Sequence, residues 1–138
     1  MPAYGSETMR ITSIAAALVL IASGAGAAQA AGDPEAGAKV FLVCKTCHQI
    51  GEGAKNSVGP EQNGLIGRKA GSVAGYNYSD ANKNSGITWT EENLKKYLHD
   101  PKAMVPGTKM VYAGLKDDKK IDDLIAYLKQ FGPDGKKQ

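Results

Sequence analysis

The chain has 138 residues, enough for one domain. Its formal charge is +3, with 17 Lys and Arg against 14 Asp and Glu, an excess too small to argue for nucleic-acid binding. The glycine content is high, at 17 residues, and the only cysteines are Cys44 and Cys47.

The first thirty residues do not read as part of the folded domain. Arg10 precedes an apolar run from Ile14 to Ala22, and a small-residue stretch follows that ends Ala28-Gln29-Ala30. This is the basic, apolar, Ala-x-Ala layout of a secretory signal peptide. The run is short and alanine-rich for a membrane span; an uncleaved anchor is the alternative. Cleavage after Ala30 leaves residues 31–138 as a single mature domain, and Met9 is an alternative start to Met1. Export implies the periplasm, where cytosolic thiol chemistry plays no part.

Asp33-Pro34 has the form of an N-cap followed by proline at the first helical position. Ala36, Val40, Phe41, Val43 and Cys44 then keep helical spacing. This first helix runs into Cys44-Lys45-Thr46-Cys47-His48. Two cysteines separated by two residues can form thioethers to the two vinyl groups of one porphyrin, and the histidine that follows is carried under the iron. The pattern is that of c-type haem attachment, with His48 as proximal ligand. Other readings use the same residues less well. A structural zinc ion needs four ligands, and His99 is the only histidine left to help. A thioredoxin-like pair belongs in a βαβ pattern, which does not follow. A disulfide would leave His48 without a role.

From Gln49 to Gly86 the chain is rich in Gly, Asn and Ser and reads as loops with one or two short helical turns. So long an irregular stretch is unusual in a small domain, unless it wraps a large cofactor. A porphyrin would also fill much of the core that about a hundred residues cannot fill alone. Gly64, Gly67 and Gly71 follow no strand, so they form no dinucleotide fingerprint. Thr90-Glu91-Glu92 starts a second helix, with Leu94, Tyr97 and Leu98 on one face and a stop at Asp100 before Pro101. His99 falls beside the lysine-bearing face, as a surface histidine. Ile121, Leu124, Ile125 and Leu128 define the last helix. Gly132-Pro133 ends it, and Asp134–Gln138 reads as a frayed tail. No stretch alternates as a sheet strand does.

The iron's second axial position needs a ligand if the protein is to carry electrons, and a methionine thioether there raises the reduction potential. Two methionines lie beyond the signal segment. Met110 closes Pro106-Gly107-Thr108-Lys109-Met110, whose proline and glycine favour a fixed turn. Met104 lies in a similar loop, so spacing prefers Met110 only modestly, and both residues could be core filler. The charges are arranged unevenly. Lys45, Lys69, Lys83, Lys102, Lys109 and Lys116 come from segments near the proposed haem, whereas Asp117, Asp118, Asp122 and Asp123 cluster late. A basic side would steer the molecule onto an acidic partner, although ordinary solvated surface charge gives the same composition.

These residues, taken in order, resemble the class I cytochromes c, the group that includes bacterial cytochrome c2 and mitochondrial cytochrome c. The likeness covers nearly all of Gly32–Gly132. It runs through the haem motif, Val58-Gly59-Pro60, Gly67-Arg68-Lys69, Tyr78-Ser79-Asp80-Ala81-Asn82-Lys83 and Gly86-Ile87-Thr88-Trp89. It continues through Pro106–Met110 and Asp123–Leu128. The resemblance implies an all-α cytochrome c fold, with three main helices plus short helical turns and loops around one covalently bound haem c. It makes Met110 the distal ligand and gives the Pro60 carbonyl to the proximal histidine. Arg68, Tyr78 and Trp89 are implied at the buried propionate, and Asn82, Tyr97 and Thr108 in a polar network behind Met110. Gly37 is expected to let the first and last helices cross closely, with Phe41 and Tyr127 at the crossing.

The implied function is that of a soluble, monomeric one-electron carrier and not an enzyme. Its donor would be a bc1-type complex and its acceptor a terminal oxidase or a photosynthetic reaction centre, met through lysines at the haem edge. A dedicated donor to a periplasmic reductase is a second possibility. A small haem peroxidase or gas-binding cytochrome is a third, but it needs an open distal site. The chain departs from the family pattern at Gln62, where an apolar residue is usual, and at Tyr112, where mitochondrial proteins carry phenylalanine. Val43 and Ala103 replace mitochondrial lysines, which predicts a less basic docking face.

Overall fold

The computed structural model describes residues 1–3, 5 and 31–138. Most of the segment read as a signal peptide, including Ala30 before the proposed cleavage point, therefore lies outside the described residues. Among those described, the regular elements are helices: α1 (Pro34–Cys44), α2 (Asp80–Lys83), α3 (Glu91–His99), α4 (Pro101–Met104) and α5 (Asp118–Lys129). The only β pairing among them is two isolated bridges, Lys69 with Thr88 and Phe131 with Lys137. No described helix is long and apolar enough to cross a membrane.

Each helix starts where a side-chain oxygen satisfies backbone N–H groups that lack an intrahelical partner. Asp33 accepts from Glu35 and Ala36, Ser79 from Asn82, Thr90 from Asn93, Asp100 from Ala103, and Asp117 from Lys120. Pro34 and Pro101 follow their caps directly, where a missing N–H costs nothing. Pro101 therefore does two things. It ends α3 near Asp100, as the sequence implies, and it opens α4, which the sequence reading did not anticipate. Met104 is consequently the last residue of a short helix and not part of an open loop.

The core forms where α1 packs across α5 and α5 packs against α3. α5 buries Ile121, Leu124, Ile125 and Leu128, the four positions of its 3.6-residue stripe. α1 buries only Gly37 and Phe41. At Gly37 a Cβ would collide with the Asp123 backbone carbonyl and with Tyr127 Cβ, so only glycine permits the close crossing. Phe41 and Tyr127 stack beside it with ring centroids 5.3 Å apart. Asp123 is buried at the same crossing, where it accepts from the Asp33 backbone N–H at 2.7 Å and from Lys119 Nζ at 2.8 Å.

Long-range hydrogen bonds hold the irregular middle of the chain in place. Gly59 N–H donates to the Cys47 carbonyl (2.8 Å) and Gln62 N–H to that of Gln49 (2.9 Å). Asn63 is buried and grips Gly51 through both ends of its amide, at 2.8 and 2.9 Å. Gly67 and Arg68 pair with Trp89, and Ala70 with Ile87. The end of the chain does not fray. Gly132 N–H bonds Lys136 O at 3.0 Å, Gln138 N–H bonds Gln130 O at 2.8 Å, and Lys137 Nζ sits 5.7 Å from the Phe131 ring centroid. This corrects the expectation from composition. Gly135 has φ +78° and lies against the Gly51 backbone, leaving no room for a side chain. That contact folds the tail back onto the body.

Candidate functional site

Cys44 ends α1, and its carbonyl accepts from both Cys47 N–H (3.0 Å) and His48 N–H (2.9 Å). The chain thus coils around that carbonyl and turns Cys44, Cys47 and His48 into one cleft. The two sulfurs are not joined to each other, so the disulfide reading is not realised. Burial pushes the Cys44 thiol up. Among the described residues no cluster of three or more His, Cys, Asp or Glu side chains is placed to hold a metal ion.

The His48 ring is fixed from one side. Its Nδ1 lies 2.8 Å from the Pro60 carbonyl oxygen and 2.7 Å from the Gln62 side-chain amide. Burial is the main influence lowering its basicity; the Pro60 carbonyl works against that, and the nearby Arg68 charge adds to it. A neutral imidazole is the form that donates a lone pair to a metal. Gly59 lies flat against the ring, and a Cβ there would overlap it.

Met110 lines the same cleft, and Met104 does not. The turn that presents Met110 uses Gly107 at φ +91°, and Thr108 N–H bonds the carbonyl of the buried Val105 at 3.0 Å. Thr108 Oγ1 accepts from Met110 N–H at 3.2 Å and lies 3.2 Å from the Tyr97 hydroxyl. That hydroxyl also points at Met110 Sδ, at 3.9 Å. Burial pushes the Tyr97 phenol up, so it stays a neutral donor. Met110, Thr108 and Tyr97 therefore form one connected group.

Asn82 lines the cleft but is not joined to that group, and its Oδ1 is buried without a protein partner. Arg68, Tyr78 and Trp89 also line it. Arg68 is heavily engaged. It donates to Asn63 O at 2.9 Å and to Glu61 O at 3.0 Å, and it pairs with the Glu61 carboxylate at 3.3 Å. Tyr78 OH accepts from Val73 N–H at 3.2 Å, and Trp89 packs on Tyr97 with centroids 4.8 Å apart. Sequence reasoning missed Glu61 as the partner of Arg68, and it marked Gln62 as a departure without seeing its contact with His48. An acid in a Gly-Pro loop carries no periodic signal that would have exposed the pair. His99 is exposed, away from the cleft.

The residues fit a covalently held haem. The cleft has a volume of about 550 Å³ and is floored by Phe41, Leu65, Leu94, Leu98, Leu124 and Leu128. An apolar pocket of that size with a few convergent polar groups suits a large planar ligand. The unpartnered Asn82 Oδ1 costs stability unless a donor from a ligand or water reaches it. Cys44 and Cys47 are placed to tether the ring, and the neutral imidazole and the thioether are a donor pair that suits iron in a porphyrin.

The comparisons agree. The family model for cytochrome c matches residues 34–132. A cytochrome c2 from Rhodoplanes tepidamans is 65% identical over 106 residues, covering 77% of this chain and 99% of that protein. A cytochrome c-550 from Nitrobacter winogradskyi is 63% identical over 105 residues, covering 76% and 96%. Among solved structures, cytochrome c2 from Rhodospirillum centenum aligns with TM-score 0.71 at 42% identity, covering 74% of this chain and all of that one. The chain belongs to the cytochrome c family, carries haem c bound covalently, and is an electron-transfer protein and not an enzyme.

Proposed function

We propose that this cytochrome c is a soluble periplasmic shuttle that takes one electron at a time from a bc1-type complex and delivers it to a terminal oxidase or a photosynthetic reaction centre. The observation that carries the reading is the pairing of His48 and Met110 in one cleft, each held by its own hydrogen-bonded frame. With His48 and Met110 both held by the haem iron, no position would be left for a substrate. That separates a carrier from a peroxidase or a gas-binding protein.

When bound, haem c supplies an iron that takes up and releases one electron. The rest is the work of the chain. Cys44 and Cys47 tether the ring to the end of α1. Pro60 holds His48 so that Nε2 is free for the metal. Thr108 and Tyr97 keep the Met110 thioether in place through both oxidation states, so little has to rearrange when the charge changes. Leu94, Leu98, Leu124 and Leu128 exclude water. Arg68, Tyr78 and Trp89 serve the propionate side, and Asn82 lines the cleft with its Oδ1 unpartnered by protein. The exposed Lys45, Lys69, Lys83, Lys102, Lys109 and Lys116 steer a transient encounter through the open edge. Residues 1–30 act as the export signal and are removed after Ala30.

The test is reoxidation of the reduced mature protein by isolated membranes from the source cells, driven first by oxygen and then by light. Rapid reoxidation under either driver fits the shuttle. Reoxidation under neither, with turnover by a purified periplasmic reductase, would replace it with a dedicated donor.

A further inference from the structure

His48 Nδ1, the Pro60 carbonyl oxygen and the tip of Gln62 form a closed triangle. Nδ1 lies 2.8 Å from the carbonyl oxygen and 2.7 Å from the Gln62 amide, and that amide lies 3.2 Å from the carbonyl oxygen. What the triangle does depends on where the hydrogens are. When His48 binds iron through Nε2, the neutral ring keeps its one proton on Nδ1, and Nδ1 can then only donate. The two ends of the Gln62 amide exchange by a half-turn of its last torsion, so the hydrogen-bond pattern must assign them.

With the amide nitrogen toward the ring, two N–H donors face each other at 2.7 Å. With the amide oxygen toward the ring, the same 2.7 Å becomes an N–H···O hydrogen bond. The only like pair left is then two oxygens at the longer distance of 3.2 Å. The second arrangement is lower in energy, and it turns the amide nitrogen outward from a half-buried residue that reaches solvent.

We infer that Gln62 is a second acceptor, beside Pro60, for the proximal histidine's N–H, and that it lowers the reduction potential of the haem iron. A second acceptor draws the proton further from Nδ1 and makes the imidazole a stronger donor. A stronger donor stabilises Fe(III) more than Fe(II). Where the family usually carries an apolar residue, this chain therefore sets its potential with an extra hydrogen bond. Gln62 acts through His48, as a positioning residue. The inference rests on His48 being the proximal ligand.

The test uses the mature holoprotein carrying Gln62→Leu or Gln62→Glu, with the midpoint potential measured alongside the Nδ1–H proton resonance of His48 in the reduced protein. Gln62→Leu should favour the reduced form by at least about threefold, or about 28 mV at 59 mV per tenfold for one electron. Its Nδ1–H resonance should move to lower frequency as one acceptor is lost. Gln62→Glu, with a stronger acceptor, should move both quantities the other way. A Gln62→Leu potential that is unchanged or lowered overturns the inference. So does a raised potential with an unmoved resonance, which would report only a less polar cleft. A wild-type spectrum without an iron-bound histidine would overturn the ligand assignment itself, and that result is read before any variant is compared.

Discussion

Gly59→Ala tests the wedge that sets the proximal ring. The glycine has no positive φ, so alanine can adopt its backbone without strain. The cost is therefore steric. An added Cβ would lie 2.6 Å from His48 Nδ1 and 2.8 Å from Nε2, and closer still to Cε1. The ring must retreat, because Gly59 is itself tied to Cys47 O at 2.8 Å. Overpacking of this kind costs about 1–3 kcal/mol. Stretching the Nδ1–Pro60 hydrogen bond adds about 0.5–1.5 kcal/mol. The stiffer unfolded chain returns about 0.4–1 kcal/mol. The net expectation is a loss of about 2 kcal/mol, equivalent to a fall in Tm on the order of 10 °C for a domain of this size. Denaturant unfolding of the holoprotein measures the loss, and its absorption spectrum reports the displaced ligand. Gly53→Ala is the control, since no atom lies within 4 Å of its Cβ and its φ of +75° adds only backbone strain. If Gly59→Ala matched wild type in both stability and spectrum, His48 would not be held by this contact, and the account of the proximal side would fail.

Met110→Ala should keep its haem, lower the reduction potential and lose the ferric absorption band near the red end of the spectrum that thioether ligation gives. Met104→Ala, at the end of α4 and outside the cleft, should keep that band and lose about 2–5 kcal/mol at most from packing; the opposite pattern would exchange the two assignments. The Lys119 ammonium, and after it the Asp33 backbone N–H, hold the Asp123 carboxyl below its ordinary value of 3.8. Its contribution is therefore present above about pH 4 and is lost as the pH falls through the depressed folded value. Asp123→Asn should be less stable than wild type at pH 7, with the gap closing in acid unfolding curves; a gap independent of pH would mean that the charge is irrelevant. Reaction with a membrane partner should slow as salt rises, and Lys102→Glu should weaken that dependence more than Lys136→Glu, measured by stopped-flow. Equal effects would show that net charge alone steers the encounter.

Where a structural decision is local, the sequence discloses it. Asp33-Pro34, Thr90-Glu91-Glu92 and the Ile121, Leu124, Ile125, Leu128 stripe each carry cap and periodicity within one or two turns, and α1, α3 and α5 lie where those signals put them. The haem motif is legible for the same reason, since five consecutive residues hold both tethers and a ligand. Pro101 shows the limit of such reasoning. Its ring stops one helix and suits the first turn of the next, and only the cap geometry of Asp100 shows that both occur. The tail shows the same limit with the opposite outcome. Asp134, Gly135, Lys136 and Lys137 have the composition of a frayed end, but Gly135 fits against Gly51, 84 residues earlier in the chain.

The choice between Met104 and Met110 also turns on distant contacts. From the residues alone both thioethers sit in similar loops near prolines. The fold separates them by committing Met104 to a helix packed on the core, while the hydroxyls of Thr108 and Tyr97 secure the turn that carries Met110 into the cleft. Glu61 and Gln62 extend the argument to the tuning of the site. They sit side by side after Pro60, yet one meets Arg68 and the other meets His48. Nothing in the local sequence distinguishes their roles, because each role is defined by a partner that the fold supplies. The cofactor and its tethers belong to a motif that can be read directly, whereas the potential depends on polar contacts made across loops. Two chains with the same haem motif can therefore differ in driving force through a residue such as Gln62 that touches the ligand and never the iron.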